Sequence, residues 1–103
     1  MGVLNRIVGI YKITSPSGKV YIGQSWDIIH RWADYGPKTS IKQRRLHYSF
    51  NKYPKKEHKF EIVHELPSDV SQDVLNQYEQ FYMDAYRDCG IELLNCREGG
   101  SNG

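Results

Sequence analysis

Two short segments rich in β-branched and aromatic residues, joined by a turn, constrain the fold of this chain most strongly. Residues 8–15, VGIYKITS, and residues 19–24, KVYIGQ, both have the composition of β-strands. The segment Ser15-Pro16-Ser17-Gly18 between them consists of residues that favour turns. The sequence therefore predicts an antiparallel β-hairpin.

The predicted hairpin carries one tyrosine on each strand, Tyr11 and Tyr21, and the turn lies midway between them. This spacing predicts that the two phenols stand near-opposite each other on the same face of the ladder. Gly9 and Gly23 flank the pair, and glycine inside a strand often marks the close approach of another group. Two phenols on one sheet face more often pack than react, so the spacing alone favours packing.

Three helices are predicted after the hairpin from apolar positions at helical spacing. They cover the residues from a cap at Ser25 or Asp27 to Gly36-Pro37, residues 40–53, and residues 70–88. The third helix is expected to bury a stripe made of Leu75, Tyr78, Tyr82, Ala85 and Tyr86.

A third strand is predicted at residues 58–66, where alternation places Phe60, Ile62, His64 and Leu66 on one side. The resulting order, β-β-α-α-β-α, predicts an α+β domain with a small three-stranded, mainly antiparallel sheet flanked by three helices. Residues 1–98 are expected to form this domain, and residues 99–103 a Gly/Ser/Asn-rich tail or linker.

The charged residues are unevenly distributed along the chain. Residues 1–60 hold twelve Lys and Arg against three Asp and Glu, whereas residues 61–103 hold two against nine. Eight of the basic residues fall between Lys38 and Lys59, a cluster that suits a phosphate backbone. A solvated basic face is the alternative, and charge alone does not decide between them.

No apolar run approaches the length of a membrane-spanning helix, and the N-terminus lacks the pattern of a signal peptide. The two cysteines, Cys89 and Cys96, form no CxxC pair and are expected to be reduced. We therefore expect an intracellular, cytoplasmic protein.

Gly9-Ile10-Tyr11 followed by Tyr21-Ile22-Gly23 forms a GIY…YIG pair at hairpin spacing. Further along the chain, in order, come Arg31, Tyr35, Glu79 and Asn95. Over essentially its whole length the chain resembles the catalytic domain of the GIY-YIG nuclease superfamily. Two further stretches resemble the phage and intron-encoded homing endonuclease branch, namely Ser49-Phe50-Asn51-Lys52 and Leu94-Asn95 with Gly99-Gly100.

The resemblance implies a metal-dependent DNA endonuclease that hydrolyses phosphodiester bonds. Glu79 would hold a single Mg²⁺ ion, for which Mn²⁺ substitutes, through one carboxylate with water and phosphate completing the shell. Arg31 would bind the scissile phosphate and stabilise the transition state. Without the resemblance, Glu79 is a solvated helical glutamate and Arg31 a partner of Asp27 in a surface ion pair.

The phenols would carry the proton chemistry. Tyr11 is the candidate general base, and Tyr21 would orient the attacking water or contact phosphate. Tyr35 stands where members carry His or Tyr, and a phosphate contact is expected of it. Gly9 and Gly23 are expected to allow packing or substrate approach, and Asn95 to tie the last segment to the active-site helix.

The expected partner is double-stranded DNA, bound weakly, non-specifically and with strong salt dependence. The residues expected to contact its phosphates are Lys12, Lys19, Lys42, Arg44 and Arg45. The tail fits either a linker to a fused C-terminal DNA-binding region in a longer parent chain or a chain that acts alone. The oligomeric state stays open between a monomer and a weak dimer.

Two alternatives to a homing endonuclease remain at this stage. One is a restriction or repair nuclease with the same core. The other is a non-catalytic DNA-binding module of the same fold, against which the set Tyr11, Tyr21, Arg31 and Glu79 argues.

Overall fold

A computed structural model describes residues 6–35 and 43–95 of the chain. The elements are β1 (Val8–Thr14), β2 (Val20–Ser25), α1 (Ile28–Asp34), α2 (Arg44–Lys52), β3 (Lys59–Leu66) and α3 (Gln72–Asp88). A single 3-10 turn, Lys55–Glu57, precedes β3. The order confirms the predicted α+β fold. No helix in the described ranges is long and apolar enough to cross a membrane.

The sheet has the order β2-β1-β3, and β1 pairs antiparallel with both neighbours. The hairpin loop runs from Ser15 to Lys19, where the Ser15 N–H donates to the Lys19 carbonyl at 2.8 Å. Its centre lies one residue later than predicted, so Tyr11 pairs with Gly23 and Tyr21 pairs with Ile13. The two phenols therefore share a face, as predicted, but they are diagonal neighbours.

A β-bulge interrupts the pairing of β1 with β3. Ile10 pairs with His64 but Tyr11 pairs with Ile62, so Val63 is an extra residue on β3. The prediction that Phe60, Ile62, His64 and Leu66 share one side is wrong, because the extra residue reverses the alternation. Phe60 packs on the face of Tyr11, whereas Leu66 packs on the other.

The two faces of the sheet have separate cores. Helices α1 and α2 cover the phenol face, whose buried residues are Tyr11, Ile13, Tyr21, Ile28, Tyr35, Leu46, Phe50 and Leu94. Helix α3 covers the opposite face, which we call the α3 face. Its buried residues are Val8, Ile10, Val20, Ile22, Leu75, Met83 and Leu93. In the predicted α3 stripe, Leu75 is buried and Tyr78, Tyr82 and Tyr86 are partly buried, while Met83 was missed.

Gly9 and Gly23 are both required by close approach. Gly9 has φ +151°, and a Cβ there would overlap the backbone carbonyl oxygen of His64 on β3. At Gly23 a Cβ would lie 2.5 Å from Cζ of Tyr11, because that ring lies across the glycine. The packing role expected for these glycines agrees with this geometry.

Candidate active site

Three buried phenols form the centre of the candidate site. The Tyr11 and Tyr35 hydroxyls are 2.6 Å apart. The ring centroids are 6.4 Å apart for Tyr11 and Tyr21, 6.4 Å for Tyr11 and Tyr35, and 6.5 Å for Tyr21 and Tyr35. Tyr35 reaches the hairpin because it follows α1 directly, in an extended conformation that ends the helix. We call Tyr11, Tyr21 and Tyr35 the phenol cluster.

Burial raises the pKa of all three phenols. Each hydroxyl also acts on its neighbours: the hydrogen bond to Tyr35 raises the pKa of Tyr11 and of Tyr21, while the same bonds lower the pKa of Tyr35. Either hydroxyl of the Tyr11–Tyr35 pair can be the donor. In the absence of a further cation, the cluster is neutral at neutral pH.

Opposite charges act on the phenol cluster. The Arg31 guanidinium lowers the pKa of all three phenols, against the larger effect of burial. The Glu79 carboxylate raises the pKa of Tyr21 and Tyr35. Arg31 and Gln24, which holds the Glu79 carboxylate, line the same groove, so a guanidinium and a carboxylate lie beside one opening.

Arg31 projects from α1 into an open groove of about 660 Å³. Its helix begins at Asp27, whose side chain accepts from the His30 N–H at 3.3 Å, which settles the choice between Ser25 and Asp27 as the cap. Asp27 lies 4.0 Å from Arg6, and Arg31 forms no ion pair with any described residue. The alternative role of Arg31 as a partner of Asp27 is therefore not what the structure shows.

Glu79 lies at the edge of the sheet that β2 forms. Its helix, α3, packs on the face opposite to the phenols, but Glu79 lies beside β2, which is an edge strand. The carboxylate Oε1 accepts a hydrogen bond from Gln24 Nε2 at 2.8 Å. Burial raises the pKa of the Glu79 carboxyl, and the bond from Gln24 opposes that shift.

Asn95 is placed differently from the expectation. Its side chain accepts from the Ile22 N–H at 2.9 Å and donates to the Ile22 carbonyl at 2.7 Å. It ties the last described segment to β2 and not to the active-site helix. The reason is that residues 92–94 run parallel beside Val20, where Val20 N–H donates to the Glu92 carbonyl and Leu94 N–H to that of Val20.

The predicted phosphate contacts are scattered over the surface. Lys12 lies on the α3 face, 3.5 Å from Glu61 and 5.2 Å from the centre of the Tyr86 ring, so the structure does not bring it to the phenol cluster. Lys19 and Arg45 both pair with Glu92, at 3.6 and 2.8 Å.

Among the other predicted contacts, Arg44 is exposed on α2. Lys42 lies outside the described residues, as does the 99–103 tail. Of the two predicted phosphate contacts described on α2, Arg45 pairs with Glu92, whereas Arg44 makes no ion pair with a described residue.

A set of amide side chains beside Glu79 was missed from the sequence. Gln24, Gln72 and Asn76 form a hydrogen-bonded cluster with the carboxylate. The spacing of Gln72, Asn76 and Glu79 at i, i+4 and i+7 was a usable signal, because such residues share one helix face. Nothing in the sequence indicated that the residue after the YIG motif would meet that face.

The protonation of the phenol cluster gives a stability prediction. The pKa of each phenol is higher in the folded than in the unfolded chain, whose tyrosines titrate near 10. The stabilisation is therefore complete below about pH 10 and is lost as pH rises above it, because the unfolded state then binds fewer protons. Denaturant unfolding should show this decline, and Tyr11→Phe should reduce its slope by about one proton. Ionisation of all eight tyrosines in a chain that stays folded would contradict the burial argument.

Comparisons with known proteins identify a family and a fold. The catalytic domain of intron endonuclease I-TevI, in a glutamate-to-alanine mutant, is 27% identical, with 77% of this chain and 82% of that chain covered and a TM-score of 0.63. A structure of the catalytic domain of homing endonuclease I-TevI is 24% identical, with 86% and 99% covered and a TM-score of 0.66, which supports the fold alone. A search of curated protein sequences gave no match. The GIY-YIG catalytic domain family matches residues 7–93, and this chain belongs to it.

Proposed function

We propose that this protein is a divalent-metal-dependent DNA endonuclease of the homing type, which hydrolyses phosphodiester bonds. The observation that carries the proposal is that one groove is lined by Arg31 and by Gln24, which holds the Glu79 carboxylate, and that both charges act on the phenol cluster. Hydrolysis of a phosphodiester needs a cation for the phosphate, charge stabilisation in the transition state and a proton acceptor for water. In this proposal Arg31 binds the phosphate, a cation held by Glu79 stabilises the developing charge, and the phenol cluster accepts the proton.

Arg31 is the phosphate-binding group in this proposal. Its guanidinium is permanently charged and presents paired donors that match phosphate oxygens. It lines an open groove together with Asp27 and Asp34, and it forms no ion pair with a described residue. A phosphate placed there would lie beside the phenols whose pKa Arg31 already lowers.

The donors around Glu79 fit one hard, mostly hydrated cation. Among the described residues, no three His, Cys, Asp or Glu side chains lie close enough together to hold a metal ion, which argues against a tightly held transition metal. Oε1 of Glu79 is held by Gln24, while Oε2 accepts no hydrogen bond from a described residue. Mg²⁺ binds well to a single carboxylate with water and phosphate oxygens, and Mn²⁺ would substitute. When bound, it would supply charge neutralisation at the leaving oxygen.

Tyr11 remains the candidate general base. Its hydroxyl is hydrogen-bonded to that of Tyr35 at 2.6 Å, and either oxygen can be the donor. Burial makes the phenolate unfavourable, and Arg31 reduces that penalty. In this proposal Tyr11 acts as the phenolate, which takes a proton from the attacking water and ends as the neutral phenol, while Tyr35 keeps the phosphate contact expected from the sequence.

Double-stranded DNA is the proposed substrate, supported by the nuclease family and by the intron endonuclease domain that the chain resembles. Helix α2 offers a surface for the phosphate backbone. Arg44, Tyr48 and Lys52 are exposed at i, i+4 and i+8 and therefore share one face. An aromatic residue between two cations suits a nucleic-acid surface.

Plasmid nicking tests the proposed activity. Purified protein with Mg²⁺ or Mn²⁺ should nick supercoiled DNA, and EDTA should abolish the reaction. Glu79→Gln should lower the rate by at least about 100-fold, as expected for the loss of a charge that acts in the transition state. Glu65→Gln, at an exposed position on β3, is the matched control and should cleave at the wild-type rate. Wild-type cleavage by Glu79→Gln would overturn the metal assignment, and DNA binding without nicking would favour a binding module.

The salt dependence of DNA binding tests the α2 surface. Arg44→Ala should weaken binding to all duplexes alike and reduce the slope of log affinity against log salt by about one. Lys12→Met is the control, because Lys12 pairs with Glu61 on the α3 face. Fluorescence anisotropy across a salt series measures both slopes. An unchanged slope in Arg44→Ala, or equal losses in Arg44→Ala and Lys12→Met, would contradict a DNA-binding surface on α2.

A further inference from the structure

The amide groups beside Glu79 form a closed hydrogen-bonded network between β2 and α3. Gln24 Nε2 donates to Glu79 Oε1 at 2.8 Å and to Asn76 Oδ1 at 2.8 Å. Gln24 Oε1 accepts from Gln72 Nε2 at 2.6 Å, and Gln72 Nε2 also donates to Asn76 Oδ1 at 3.0 Å. Gln72 Oε1 accepts from Trp26 Nε1 at 3.3 Å.

This network fixes the orientation of the Gln24 amide. Both groups that face its nitrogen, Glu79 Oε1 and Asn76 Oδ1, are acceptors, and the group that faces its oxygen is the donating nitrogen of Gln72. Turning the amide over would place three oxygens against one another and two nitrogens against one another. Both N–H groups of Gln24 are thus committed, one of them to the carboxylate.

From this arrangement we propose that Gln24 is a positioning residue, which holds Oε1 of Glu79 so that Oε2 is left for the divalent cation. The inference rests on the proposed metal-dependent function. A single carboxylate on a long side chain has several rotamers, and a cation held by one protein ligand depends on the rotamer being set beforehand. Gln24 sets it from a strand whose backbone is fixed by pairing with β1.

The network explains why the orienting group comes from β2. Gln72, Asn76 and Glu79 all belong to one face of α3, so bonds among them alone would move with the helix. Gln24 is the member that belongs to the hairpin carrying Tyr11 and Tyr21. It therefore fixes the carboxylate relative to the phenol cluster, which is the relation that the reaction requires.

Binding of Mn²⁺, followed by the electron paramagnetic resonance signal of the free ion, tests the positioning role without requiring cleavage. Gln24→Met keeps the length of the side chain and removes the hydrogen bonds. It should weaken Mn²⁺ binding by about 10- to 100-fold, the range found for groups that orient metal ligands. The matched control is Gln80→Met, because Gln80 donates to Asp84 on the same helix at 2.9 Å, away from the site. Gln80→Met should bind Mn²⁺ as the wild type does.

Nicking assays then separate positioning from a general structural effect. In Gln24→Met the metal concentration for half-maximal rate should rise, and saturating metal should recover most of the rate. Gln72→Met, which releases the far side of the Gln24 amide, should give a smaller change in the same direction and serves if Gln24→Met does not fold. Unchanged metal binding in Gln24→Met, or equal losses in Gln24→Met and Gln80→Met, would overturn the positioning role. A wild-type protein that binds Mn²⁺ but never nicks DNA would overturn the proposed function alone.

Discussion

The outer edge of β2 is the part of the structure on which the candidate site depends. Successive side chains of a strand point to opposite faces of the sheet. Tyr21 and Gly23 therefore lie on the phenol face, while Ile22 and Gln24 lie on the α3 face. Side chains on the two faces can contact each other only at an edge of the sheet. The last described segment pairs with β2 at Val20 and Ile22, ending in the side chain of Asn95. Beyond Ile22, Gln24 on this edge holds the Glu79 carboxylate.

Burial and charge act against each other in the phenol cluster. Three phenols in a closely packed core are held protonated, and neighbouring hydroxyls strengthen that preference for Tyr11 and Tyr21. The Arg31 guanidinium opposes it from the groove, while Glu79 adds to it. A cation bound at Glu79 would cancel the carboxylate charge and so shift the cluster toward proton release. In the proposed reaction, metal binding would thus be coupled to the proton chemistry.

Much of the fold could be predicted from local patterns, because each element carries its own periodicity and turn residues. The hairpin and the helix order followed from patterns that lie within single elements, whereas a shared site for Arg31, Tyr35 and Glu79 was implied only by the family resemblance. The bulge at Val63 could not be predicted, since it arises from the pairing of β3 with β1 and leaves no signature in either strand alone. The hydrogen bond from Gln24 to Glu79 depends in the same way on how α3 crosses β2.

Two misplaced residues have different causes. Lys12 adjoins Tyr11 on a regular strand, so alternation already required it to face away from the phenols, and parity would have removed it from the phosphate-binding set. The sequence identified Asn95 as a structural residue. Its partner, Ile22, could not be predicted without knowing that the last segment pairs with β2.

The central claim is that a carboxylate on one face and phenols on the other meet around the edge of β2. Anomalous diffraction from crystals soaked in Mn²⁺ measures this most directly. The account predicts a peak at coordination distance from Glu79, beside the hydroxyls of Tyr21 and Tyr35. An ion bound away from Glu79, or at Glu79 but out of reach of both phenol hydroxyls, would contradict it.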